Sequence, residues 1–196
     1  MAILNASYSR QLGGSLVEFM LASALSLLSI AAIGGVYVTG MKTSTQRSQE
    51  LLVLQGLSDT LTYIKQDALR AGYRKDNRAS AALLIGSTDI IHTTSSSLAY
   101  SYFDGHEYQN TFFKLDGRSV KLCSKGSAAP ISITGCGRFF HLLDEKRLVV
   151  NDFSVSNLPL GSRVSSAYVT IRLSASLKDG RFPHTMTTSI KQRNWQ

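Results

Sequence analysis

Cysteine is nearly absent from this 196-residue chain: there are two, Cys123 and Cys136, and they form no CxxC pair. The four histidines, His92, His106, His141 and His184, fall at no zinc-ligand spacing. No GxSxG, HExxH or phosphate-cradling glycine loop occurs, so the familiar hydrolase, zinc-peptidase and nucleotide signatures are missing. Asp144, Glu145 and Asp152 do not match the spacing of a calcium loop and read as a solvated turn. The expectation is a protein that is not an enzyme and holds no metal or cofactor. Acidic residues are also scarce, 13 Asp and Glu against 21 Lys and Arg, a formal net charge of +8. That balance favours anionic neighbours such as nucleic acid, phospholipid or an acidic subunit, or describes only a solvated basic surface, and it says nothing of fold.

The longest absence is of charge. Between Phe19 and Val38 twenty residues pass without one, enough at about 1.5 Å per residue to cross a hydrocarbon layer about 30 Å thick as a helix. Gly34-Gly35 offers either a close approach for another helix or a point of flexibility. Only Arg10 precedes this run, while Lys42 and Arg47 follow it, so charge bias sets its orientation weakly. A secretory signal would place its small-residue cleavage site after the apolar run, whereas Gly13-Gly14 lies before it. One carboxylate, Glu18, sits just inside the start. An ionised carboxylate in hydrocarbon is expensive and usually functional.

The stretch "GGSLVEFMLA" resembles the signal of type IV pilins and type II secretion pseudopilins: a glycine, a cut, four residues, a glutamate and a long apolar helix. The resemblance implies cleavage between Gly13 and Gly14 by a prepilin peptidase, N-methylation of Gly14, and Glu18 as the fifth mature residue. Here the first mature residue is Gly rather than Phe, Leu or Met, and a cut after Gly14 would make Glu18 the fourth. For Glu18 the resemblance implies an assembly role, with its carboxylate paired to the N-terminal amine of an adjacent subunit; snorkelling to water at the interface is the alternative.

Beyond the span, Leu54, Leu57, Leu61, Ile64 and Ala68 make an apolar stripe at helical spacing, so the helix is expected to run to about Ala71 and stop at Gly72. From Leu83 short strands and turns take over. Asp104-Gly105, Asp116-Gly117 and Asp179-Gly180 each separate β-prone runs and predict three hairpins with type I′ turns. "RFFHLL" and "RLVVNDFSV" read as further strands, and "SAAPISITG" as a loop between the cysteines. If this part lies outside the cytoplasm, a Cys123–Cys136 disulfide is expected; two reduced buried thiols are the alternative.

The expected fold is α+β and pilin-like: a long N-terminal helix, membrane-spanning then amphipathic, packed on an antiparallel sheet head. Its parts would be a leader (1–13), a transmembrane and assembly helix (14–41), an amphipathic continuation (42–72) and a β-rich periplasmic or extracellular head (73–196). "LRAGYRK", residues 69 to 75, and "SIKQRNW" near the end resemble PilW-type minor pilins and the related prepilin-peptidase-dependent protein B and J-type secretion proteins. That resemblance implies a minor pilin, held in the inner membrane with its N-terminus cytoplasmic and then carried to the pilus. It would take part in priming a type IV pilus for adhesion, motility or DNA uptake. Its partners would be the prepilin peptidase, other minor and major pilins and the inner-membrane assembly platform. Arg70, Arg74, Lys75 and Arg78 are candidate nucleic-acid contacts, with Tyr73 and Trp195 near enough in type to stack on bases and Arg181, Lys191 and Arg193 as a second cluster; DNA is therefore a candidate partner. Salt bridges to other subunits are their alternative use. A J-type minor pseudopilin and a signal-anchored periplasmic binding protein are the competing readings.

Overall fold

The computed structural model describes residues 14–76, 81–159 and 167–191. The expected Gly13, Arg78, Arg193 and Trp195 lie outside them. Among the described residues one helix, α1 (Leu16–Ala68), is followed by eight strands. Residues Met1–Arg47 and Ser48–Gln196 form two compact units.

In the first unit none of the described residues of α1 is buried, although Phe19, Leu27, Leu28, Ile33 and Val36 are large and apolar. Among the described residues α1 is the one helix long and apolar enough to cross a membrane, which is consistent with a membrane anchor. Its hydroxyls fit that use. Ser23, Ser29 and Thr39 donate to the carbonyls of Met20, Leu25 and Gly35, each at 2.9 Å, so they need no water. The helix runs unbroken through Gly34-Gly35, and no side chain comes near either glycine.

The second unit is an α+β head. Strands β1 (Ile91–Thr94), β2 (Ser97–Phe103), β3 (Tyr108–Asp116), β4 (Ser119–Ser127) and β5 (Phe140–His141) form a five-stranded antiparallel sheet in sequence order. Strands β6 (Leu148–Pro159), β7 (Ala167–Leu177) and β8 (His184–Lys191) form a second, three-stranded antiparallel sheet. Hairpin tips join the two: the N–H of Val155 donates to Ser95 O and that of Val150 to Arg118 O, both at 3.0 Å. Alternation along β7 is strict from Ala167 to Leu173, with Val169, Ile171 and Leu173 fully buried and Tyr168 and Arg172 exposed, as a sheet with one covered face requires.

The cover is the last five turns of α1. Val53, Leu57, Leu61, Ile64 and Ala68 are buried against Leu98, Tyr100 and Phe113 of the larger sheet and Phe153, Ile171 and Ile190 of the smaller. Full burial of a residue such as Leu57 or Ile64 contributes about 2 kcal/mol. The ridge begins at Val53 rather than the expected Leu54, which is half-buried, so the face is rotated by one position where it enters the core. Gly56 permits this approach, since a Cβ there would stand 2.8 Å from Leu148 Cδ1.

All three Asp-Gly hairpins form, but none has the pair at the centre of a type I′ turn. Each glycine of the three pairs has positive φ, 105° at Gly105, 62° at Gly117 and 84° at Gly180, whereas the preceding aspartates do not; Phe182, in the third connection, also takes φ 52°. Gly117 and Arg118 are the two-residue loop between Asp116 and Ser119, and a positive φ at the first position alone is the type II′ pattern. Gly180 closes a three-residue loop, with its N–H donating to Leu177 O, as in a type I turn followed by a left-handed glycine. At the first hairpin Asp104 works through its side chain. Its carboxylate accepts the N–H groups of Glu107 and His106 and the amide of Gln109, and these bonds hold its pKa down at about 2.

Candidate functional site

The N-terminal candidates meet at the first turn of α1. Ser15 precedes the helix and Glu18 lies in its first turn. The Ser15 N–H donates to Glu18 Oε2 at 2.9 Å, and the Val17 N–H donates to Ser15 Oγ at 3.3 Å. This is a capping box: serine and glutamate three apart satisfy N–H groups that the helix start leaves without partners. Gly14 stands beside it, since a Cβ there would lie 3.4 Å from Glu18 Oε2. The local sequence dictates this geometry, because S-x-x-E immediately before an apolar run is a helix-start signal. The expectation for Glu18 considered only a partner or water, and its bond to its own backbone is an addition to both.

At the other end of α1, "LRAGYRK" stops the helix and joins it to the sheet. Arg70 and Ala71 donate to the carbonyls three residues back, and Gly72 takes φ 77°. Only a residue free of a Cβ adopts that conformation without strain. The chain then runs along the end of β2: Gly72 N–H donates to Ser101 O at 2.8 Å, Phe103 N–H to Tyr73 O at 2.8 Å, and Lys75 N–H to Phe103 O at 3.2 Å, with Arg74 and Phe103 in a parallel bridge. The motif thus fills the stretch of β2 edge that β1 leaves uncovered.

This placement gives each basic residue its own neighbours. Arg74 bonds Asp76 through Nε at 3.0 Å and Nη2 at 2.7 Å, lies over the rings of Phe103 and Tyr108, and keeps only 11% of its side chain exposed. It serves the fold. The Lys75 side chain lies against Gly105, and a Cβ on that glycine would stand 2.8 Å from Lys75 Cδ. Arg70 lies 6.0 Å over the Tyr102 ring and 3.9 Å from Asp67, with 64% of its side chain exposed. Arg181 is bonded to Asp179 at 2.8 Å.

Cys123 and Cys136 are joined in a disulfide with their Cα atoms 6.3 Å apart. It ties β4 to the long loop and sits in a small apolar cluster with Leu84, Ala99, Phe112 and Phe139. Closing so short a loop stabilises by about 3 kcal/mol in the chain-entropy account. Asp144, one of the acidic residues considered for a cation, forms a turn in which its Oδ1 accepts the Lys146 N–H, and Asp152 faces Arg172 at 3.9 Å. His141 in β5 contacts Ser119 at 2.8 Å and Glu145 at 3.1 Å. No group of three or more potential metal ligands occurs among the described residues.

One contact lay beyond sequence reasoning. The hydroxyl of Tyr100, fully buried on β2, donates to Asp67 Oδ2 on α1 at 2.5 Å. Burial first, and then the Asp67 charge, raise the Tyr100 pKa well above its usual value, so it stays a donor.

In comparison with known families, the model described as "Prepilin peptidase-dependent protein B" matches residues 46–192, which take in the end of α1 and both sheets. Comparisons with curated proteins and with solved structures gave no match.

Proposed function

The chain belongs to the prepilin peptidase-dependent protein B family, and from that premise we propose that it is a minor pilin-like structural subunit that takes part in priming a type IV pilus. The observation that carries the reading is the family match itself, which spans three quarters of the chain and needs nothing from the N-terminal signal. The signal supports it independently. A glycine pair, a glutamate and an uncharged apolar helix stand in the order that a prepilin peptidase substrate requires, at the end of the chain the family match does not reach.

In this reading the precursor is held in the inner membrane by α1, with its N-terminus cytoplasmic and its head periplasmic. The peptidase cuts between Gly13 and Gly14 and leaves the apolar helix as the new N-terminus, free to be drawn from the bilayer into a bundle of like helices. In that bundle Glu18 meets the amine of an adjacent subunit, and pairing makes both charges tolerable in an apolar setting. Other pilins and the inner-membrane platform are the remaining partners.

The test is the N-terminal residue and mass of the membrane-extracted protein, measured by mass spectrometry with and without active prepilin peptidase. A chain starting at Gly14 only when the peptidase is active supports the proposal; an intact leader in both refutes it. Deletion then assigns the assembly: lost piliation places the protein in a pilus, whereas failed exoprotein secretion with normal piliation places it in a secretion pseudopilus.

A further inference from the structure

We propose that β8 is a docking edge at which an extended, acid-bearing segment of another subunit adds as a fourth strand to the smaller sheet. The inference rests on the reading of the chain as a subunit of a pilin-like assembly; the location of the contact comes from the sheet. Strand order β6-β7-β8 leaves two edges. That of β6 is engaged, because Val150 and Val155 donate to carbonyls of the hairpin tips of the larger sheet. Among the described residues that of β8 is open: it bonds β7 alone, and no backbone hydrogen bond from another described segment reaches residues 184–191.

An open edge is a template for a further strand, and sheets commonly guard against it with short strands, bulges, inward charges or proline. The larger sheet is guarded in this way, ending in β1 with four residues and β5 with two. β8 carries none of these guards. It has eight residues, "HTMTTSIK", pairs with β7 without a register shift, and has no charged residue or proline between His184 and Lys191. Its β-branched Thr185, Thr187, Thr188 and Ile190 favour the extended state. Backbone bonds along such an edge supply affinity, and alternate side chains supply selectivity.

Charge selects the occupant. Lys178, in the turn leading into β8, and Lys191, at its end, have no carboxylate among the described residues within ion-pair distance, while the neighbouring Arg181 and His184 face Asp179 and Glu50. A second copy is a poor fit. Antiparallel pairing of β8 with itself brings no carboxylate to either lysine, because His184–Lys191 contains no acidic residue. A segment with acidic residues at its ends meets both lysines.

The experiment uses the full chain, expressed with the other subunits of its own assembly, and places proline singly at Met186, Thr187, Thr188 and Ser189. Alternate amides along β8 face β7 and the open edge. Proline at an outward amide is tolerated, and at an inward one it removes a ladder bond. Protease resistance therefore sorts the four variants into a folded pair and a damaged pair, which is the internal control. The folded pair is expected to keep leader removal and lose incorporation into the assembly by at least tenfold, with Lys191→Glu lowering it as well. Amide exchange of the wild-type chain in detergent, alone and in the recovered complex, should show the outward β8 amides slowed at least tenfold on assembly. Normal incorporation of the folded proline variants, or unchanged β8 exchange in a complex containing the chain, overturns the edge while leaving the pilin reading intact. A β8-to-β8 cross-link at twice the chain mass overturns the choice of partner. Failure of leader removal in the wild type overturns the pilin reading, and this inference with it.

Discussion

Replacing Tyr100 by Phe tests how the end of α1 is fastened to the larger sheet. The change removes one oxygen and leaves the ring among Leu98, Phe113 and the helix. What is lost is the bond from the Tyr100 hydroxyl to Asp67 Oδ2 at 2.5 Å. Hydrogen bonds to charged groups contribute about 1.5–3 kcal/mol. Asp67 keeps Arg70 at 3.9 Å and 16% of its side chain exposed, so the remaining carboxylate is not stranded and the middle of that range applies. The expected loss is about 2 kcal/mol, or about 4–8 °C in Tm for a chain of this size. The pH dependence has a definite sign. Folded Tyr100 has a pKa above its unfolded value, so the stability it contributes is complete below about pH 10 and is lost as pH rises through the folded pKa. Tyr100→Phe should be less stable than wild type at neutral pH and fall less steeply above pH 10. Some alkaline slope should remain, because burial also raises the Tyr63 pKa. Denaturant unfolding of the detergent-solubilised full chain at several pH values reads both effects. A difference under about 0.5 kcal/mol at pH 7, or identical alkaline slopes, would refute the reasoning.

Two further perturbations address the disulfide and the N-terminus. Cys123→Ser with Cys136→Ser should lower stability by about 3 kcal/mol, and reductant should then have no further effect on the variant; equal stability of the oxidised wild type and the double variant would show that the loop is ordered without the bond. Glu18→Ala removes both the cap and the charge, whereas Glu18→Gln keeps an acceptor for the Ser15 N–H and loses the charge alone. Both should be freed of the leader normally, and both should reduce surface piliation; full piliation by the Gln variant would show that capping, not charge, is what Glu18 supplies.

The parts of this fold that sequence makes legible are those decided within a few residues. The twenty uncharged residues from Phe19 identify the apolar helix, and the three Asp-Gly pairs locate three hairpins. The type of each turn is not legible, because it depends on where each strand stops pairing: the glycine of each pair takes positive φ while its aspartate does not, and Asp104 and Asp179 accept backbone N–H groups through their side chains. The β1–β2 hairpin carries no glycine signal, since hydroxyls close it, with Thr94 Oγ1 and Ser97 Oγ 2.6 Å apart. The division into two sheets is a matter of long-range pairing, and the β5–β6 connection through Asp144 looks like any other polar turn. Periodicity gives the buried face of α1 but not its phase, which the approach of Leu148 to Gly56 determines. The Tyr100–Asp67 bond joins residues 33 apart in sequence and has no local trace.

In the proposed reading a local signal and an assembly role coexist in the one side chain of Glu18. Alone in the bilayer the chain faces two difficulties at the start of α1: an ionised carboxylate near hydrocarbon, and backbone N–H groups without acceptors. The capping box reduces both, because the carboxylate accepts the Ser15 N–H and lies at the positive end of the helix dipole. It does not neutralise the charge. One oxygen, Oε2, carries the cap, and a carboxylate has acceptor capacity beyond a single bond. The amine of an adjacent subunit can therefore engage Glu18 without undoing the helix start. On that reading the cap makes the glutamate tolerable while the subunit waits in the membrane, and the uncompensated charge is what would make a cationic partner favourable when one arrives.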